Sequence, residues 1–78
     1  MITVEEKSNL IVGYKQVLKA LSANVCKKLF IAEDCAESIS ETILSKAEGV
    51  EIVRVETMRE LGNLCEIDVP ASCAAIRL

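Results

Sequence analysis

The segment richest in chemistry is Gly13-Tyr14-Lys15-Gln16-Val17-Leu18-Lys19. A glycine at the start of a helix lets another backbone approach closely. The helix N-terminus behind it offers unpaired N–H groups and a partial positive charge, which suit a phosphate. Lys15 and Lys19 stand four apart, so they share one solvated helix face. Lysine can also donate to O6 and N7 of guanine. The same residues fit a plain helix break followed by an amphipathic helix, and the segment alone leaves both readings open.

A second segment, Ile67-Asp68-Val69-Pro70-Ala71-Ser72, holds the only proline. Apolar residues on a loop stiffened by proline often contact a partner. The alternative is a connector whose valine tucks into the core.

Other chemistry is scarce. There is no histidine to serve as a base, and no serine stands in a G-x-S-x-G elbow. Gly13, Gly49 and Gly62 are isolated, so no glycine-rich phosphate loop exists. Glu33 and Asp34 are neighbouring carboxylates, but Asp34 already reads as a helix cap. Cysteines 26, 35, 65 and 73 form no C-x-x-C pair, and their spacing does not suit a zinc knuckle. They read as small buried hydrophobes. The expectation is a non-catalytic chain with no cofactor, no metal and no small-molecule substrate.

Charge narrows the partner. The net charge of −3 argues at first against nucleic acid. Its distribution does not: lysines 7, 15, 19, 27 and 28 occur with no acid among them, while residues 33–78 carry ten acids. No secretory signal precedes the first apolar run, Leu10-Ile11-Val12, and no stretch approaches the ~20 apolar residues of a membrane span. A cytoplasmic protein without a membrane partner is expected.

The elements that must position these residues follow from periodicity. With 78 residues, one domain spanning 1–78 is expected. Thr3 and Glu6 form a capping box for a helix over 3–11. Tyr14, Val17, Leu18 and Leu21 predict a helix over 14–22. Leu29-Phe30-Ile31-Ala32 reads as a strand covered on both faces. Asp34 should cap a helix to about residue 47, with Ala36, Ile39, Ile43 and Ala47 inward and Gly49 ending it. Residues 50–55 predict a strand, Thr57 and Glu60 the start of a helix to about Cys65, and Cys73-Ala74-Ala75-Ile76 a strand of small residues. Strands alternating with helices give an α/β fold with a parallel or mixed sheet.

Four motifs stand in a familiar order: Gly13-x-Lys15-x-x-x-Lys19, Leu29-Phe30-Ile31-Ala32-Glu33-Asp34, Leu61-Gly62-x-x-Cys65, and Ile67-Asp68-Val69-Pro70-Ala71 with Ala74-Ala75-Ile76. Over residues 8–77 the sequence resembles the L-seven-Ae/L-thirty-e ribosomal protein family, in particular its short bacterial kink-turn-binding type. The resemblance implies a three-layer α/β/α sandwich with a four-stranded mixed sheet and two helices on each side. It implies a structured RNA partner containing a kink-turn, a sharply bent duplex with tandem sheared G·A pairs. Association with the ribosome and a monomeric protein are separate expectations. The resemblance places RNA contacts at Gly13, Tyr14, Lys15, Lys19, Glu33, Val69, Pro70 and Ala71. Tyr14 and Lys15 depart from the archaeal pattern, although bacterial members also have lysine at the second position; Tyr14 either stacks on a base or belongs to the core stripe, where its register with Val17, Leu18 and Leu21 puts it. Two other functions use the same fold: an accessory or substrate-recognition module, and a protein-interaction module with little RNA binding of its own.

Overall fold

The computed structural model describes residues 7–78. Its elements run β1 (Leu10–Val12), α1 (Tyr14–Ser22), β2 (Cys26–Ala32), α2 (Glu37–Lys46), β3 (Glu51–Val55), α3 (Met58–Leu64) and β4 (Cys73–Arg77). The strands form one sheet in the order β1-β4-β2-β3. β4 is antiparallel to both its neighbours, and β2 is parallel to β3. The sheet is therefore mixed and the fold α/β.

The central strands show how the layers form. Leu29 to Ala32 and Cys73 to Ile76 are buried without a break. Successive strand side chains point to opposite faces, so both faces of the sheet are covered. α1 and α2 pack against each other as one layer, and α3 lies over β2, β3 and β4 as the other. Cys73, Ala74 and Ala75 are completely buried, and their small side chains allow the close approach. Val17, Leu29, Ile31, Ile43, Leu61 and Ile76 make the aliphatic core. Each contributes about 1.5–3 kcal/mol on burial.

α1 has the bounds its period predicts, with Val17, Ala20 and Leu21 buried. The expected helix over 3–11 does not hold at its C-terminal end. Thr3 and Glu6 lie outside the described residues, and residues 7 and 8 are helical, but Leu10 to Val12 is a strand. It pairs with β4 through Leu10 with Ile76, Ile11 with Ala75 and Val12 with Ala74. Two of its three residues are aliphatic and β-branched, and a waiting strand edge outweighs continuation of the helix.

The cap at Asp34 also differs. α2 starts at Glu37, and its N-cap residue, Ala36, supplies no side-chain bond. The Asp34 carboxylate instead accepts from the Met58 N–H at 2.7 Å, at the start of α3. The fold brings the N-terminus of α3 beside Asp34, and an acid is stabilised at whichever helix start it reaches. Thr57 behaves as expected, accepting from the Glu60 N–H at 3.1 Å. Gly49 lies two residues beyond the α2 C-cap Ala47 at φ 79°, in the turn into β3.

Cys35, Cys65 and Cys73 are buried, Cys26 is partly so, and all four are free thiols. Burial pushes each thiol above its ordinary range. No group of three or more potential metal ligands occurs among the described residues. No helix among them is long and apolar enough to cross a membrane.

Candidate functional site

Sheet topology gathers the candidate residues on one edge. β1, β2 and β3 all run opposite to β4, so their carboxyl ends meet the start of β4. Gly13 follows β1, Glu33 follows β2, and the loop over residues 66–72 leads into β4. Hydrogen bonds tie these segments together. The Gly13 N–H donates to the Cys73 carbonyl at 3.1 Å, and the Ala32 N–H to that of Ser72 at 3.0 Å. The Glu33 N–H donates to the Val55 carbonyl at 2.8 Å. In open α/β sheets the carboxyl edge is the usual place for a ligand.

Gly13 is required there by conformation. Its φ of 109° is a region that side-chain-bearing residues rarely adopt, yet an added Cβ would meet no atom within 4 Å. The space beside it is open to an incoming group. The Gly13 carbonyl accepts from the Val17 N–H at 3.0 Å, closing the first turn of α1. The N–H groups of Tyr14, Lys15 and Gln16 precede the first intrahelical bond and face no side-chain cap. No acid stands in that turn to neutralise them.

The lysine run divides in the folded chain. Lys7 pairs with Glu66. Lys28 lies 3.6 Å from the Glu51 carboxylate. Lys15 and Lys19 are exposed and have no ion-pair partner among the described residues. The polarity seen along the sequence is thus partly cancelled, and the open charge of α1 remains.

Across the edge, Val69 is 62% exposed and Pro70 is exposed, whereas Ala71 is buried. The valine does not enter the core. Ala71 anchors the loop, its N–H donating to the Met58 carbonyl at 3.0 Å, while the Ile67 N–H donates to that of Gly62 at 3.0 Å. Gly62 is the seat. A Cβ there would lie 2.3 Å from the Val69 carbonyl oxygen. Asp34 holds the Met58 N–H, and Met58 in turn holds Ala71, so the Glu33-Asp34 segment and the apolar loop are linked through one residue of α3. Beside the loop lies a cleft of about 480 Å³, bordered by Arg59, Asn63, Val69 and Pro70.

Gly13, Lys15, Glu33, Val69 and Pro70 therefore reach the surface at or beside one sheet edge, and Lys19 extends that surface along α1. Tyr14 is half-buried and packs against the core cluster. The side chain of Ala71 points inward and positions the loop. The sequence singles out neither the seating role of Gly62 nor the partner of Asp34; the Leu61-Gly62 motif marks the first only as a pattern.

Residues 2–77 match the sequence model of the Ribosomal protein L7Ae/L30e/S12e/Gadd45 family. The chain belongs to this family. A protein of Bacillus pumilus (strain SAFR-032) named RNA-binding protein is 38% identical over 77 residues, covering 96% of this chain and 94% of its own. An RNA-binding protein of Caldanaerobacter subterraneus subsp. tengcongensis is 42% identical over 67 residues, covering 83% of this chain and 82% of its own. RNA-binding protein YbxF of Geobacillus stearothermophilus is 31% identical over 75 residues, covering 94% and 92%. Among solved structures, the Giardia lamblia 15.5kD RNA binding protein superposes with a TM-score of 0.73 at 24% identity, over 95% of this chain and 66% of that one. A Bacillus halodurans protein of unknown function gives a TM-score of 0.80 at 16% identity, over 91% and 73%. These two likenesses are of fold.

Proposed function

We propose that this chain is a non-catalytic RNA-binding protein that recognises a kink-turn and associates with the ribosome as a cytoplasmic monomer. One observation carries the reading. An open, uncapped helix start, whose helix carries two lysines with no ion-pair partner among the described residues, shares a sheet edge with an exposed, proline-stiffened apolar loop. Names of relatives from several bacteria, all RNA-binding proteins, point the same way.

The chemistry of the edge fits a kinked duplex better than a straight one. A regular RNA helix keeps its major groove too deep and narrow for side chains. A kink opens that groove and exposes guanine acceptors to Lys15 and to the N–H groups behind Gly13. The same kink leaves unpaired nucleotides, whose faces can lie on Val69 and Pro70. With two or three lysines engaged, the logarithmic salt slope should be shallow, about −2 to −3.

Gel-shift and calorimetric titrations against a kink-turn and a composition-matched straight duplex, at two salt concentrations, test the reading. Preference for the kink-turn with a shallow slope is expected. Equal binding to both RNAs, or binding to neither, would overturn it.

A further inference from the structure

A second surface feature lies outside the edge just described. A cleft of about 310 Å³ runs along the flank of α1 where it meets β1 and the end of β4. Ile11, Ala20 and Val25 supply its apolar lining, and Gln16, Lys19 and Arg77 its polar one. None of its lining residues is acidic, in a chain whose net charge is −3. Lys19 and Arg77 have no ion-pair partner among the described residues.

The sheet fixes the backbone of Arg77. This residue is the last of β4 and pairs with Cys26 of β2. Its backbone N–H donates to the Asn9 carbonyl at 2.9 Å on the other side. Its side chain is exposed and is not used by the core. A guanidinium carried on a fixed strand end, lining the same cleft as a lysine with no ion-pair partner among the described residues, is suited to grip a phosphate with two parallel N–H donors.

We infer that Lys19 and Arg77 form a second phosphate-binding subsite that extends RNA contact from the Gly13 helix start down the flank of α1, gripping the backbone of the stem beyond the kink. This rests on the RNA-binding reading above and adds a contact to it. Continuity identifies the occupant. Lys19 belongs both to the open face of α1 and to the cleft, so one polyanion following α1 meets both sites. The nine residues of α1 cover about 13 Å, or roughly five base-pair steps of an A-form RNA duplex. A stem that stops at the kink misses Arg77, and a longer stem reaches it.

The test titrates wild type, Arg77→Ala and Arg77→Lys with two kink-turn RNAs that differ only in the stem lying along α1, the longer by about five base pairs. Wild type should bind the long-stem RNA more tightly. Arg77→Ala should weaken that complex roughly two- to fivefold and lower its salt slope by about one, while leaving the short-stem complex unchanged. Arg77→Lys should restore the slope. Thermal melts of the variants should match wild type, because the exposed side chain has no ion-pair partner among the described residues. If Arg77→Ala leaves both the salt slope and the stem-length dependence intact while kink-turn preference persists, the subsite is overturned and the main reading stands. If wild type binds neither RNA, both are overturned.

Discussion

Gly62→Ala probes how the apolar loop is held. The new Cβ would stand 2.3 Å from the Val69 carbonyl oxygen, 3.2 Å from its carbon and 3.3 Å from the Pro70 Cα. All three are backbone atoms, so no side chain can rotate away. Ordinary contact begins near 3.4 Å, and the Val69 carbonyl must therefore retreat by about 1 Å. Overpacking of this kind costs about 1–3 kcal/mol. Replacing glycine by alanine within a helix returns about 1 kcal/mol. The expected net loss is about 1 kcal/mol, read from a urea melt by the shift of its midpoint. Binding should suffer more than stability, because the retreat moves Val69 and Pro70, the exposed part of the loop. A loss of roughly tenfold in kink-turn affinity corresponds to about 1.4 kcal/mol. A variant more stable than wild type would refute the clash. A destabilised variant with unchanged affinity would remove the loop from the interface.

Other perturbations test the remaining parts. Asp34→Ala removes the carboxylate that accepts from the Met58 N–H at 2.7 Å and should cost about 0.5–2 kcal/mol in thermal or denaturant melts; no loss would show that α3 does not need this cap. Gly13→Ala forces alanine to φ 109° and should cost about 1–3 kcal/mol, so a denaturant midpoint unchanged from wild type would contradict the assigned conformation. Lys15→Ala with Lys19→Ala should leave the melt unchanged and flatten the salt slope of RNA binding by about two; an unchanged slope would put the RNA on another face. The buried thiols give a pH signature. Burial raises their pKa above the ordinary 9.0, so below pH 9 folded and unfolded chains both hold the protons and stability is level. Above it the unfolded chain ionises first, and stability should fall as pH rises. A flat alkaline limb that matches a variant with Cys65 and Cys73 both changed to alanine would exclude the thiols as its cause.

Much of the fold was legible because its signals are local. The period of Tyr14, Val17, Leu18 and Leu21 and the run Leu29 to Ala32 are explained by burial on one face and on two. β1 was not, since three residues are too short for any period. Leu10 to Val12 becomes a strand only because β4 offers a partner. Asp34 obeys the capping rule but serves a helix whose N–H lies 24 residues away, which no local rule can see. The loop was legible as a loop; the outward turn of Val69 and the inward turn of Ala71 depend on α3 beneath it. In sequence Gly62 is a helix residue of poor propensity, and only the approach of the Val69 backbone explains it. The lysine run overstated the available charge because Glu66 and Glu51 are distant in sequence from Lys7 and Lys28 and adjacent in space.

The central claim is that one sheet edge receives the RNA. Backbone amide shifts in NMR spectra, recorded while a kink-turn RNA is added, test it most directly. The largest changes should fall on Gly13, Tyr14, Lys15 and Gln16, on Glu33, and on Val69 and Ala71, with Arg77 responding only to the long-stem RNA. The amides of α2 and of the outer strand β3 should hardly move. Changes centred on α2 or β3, or an identical pattern with a straight duplex, would contradict the account.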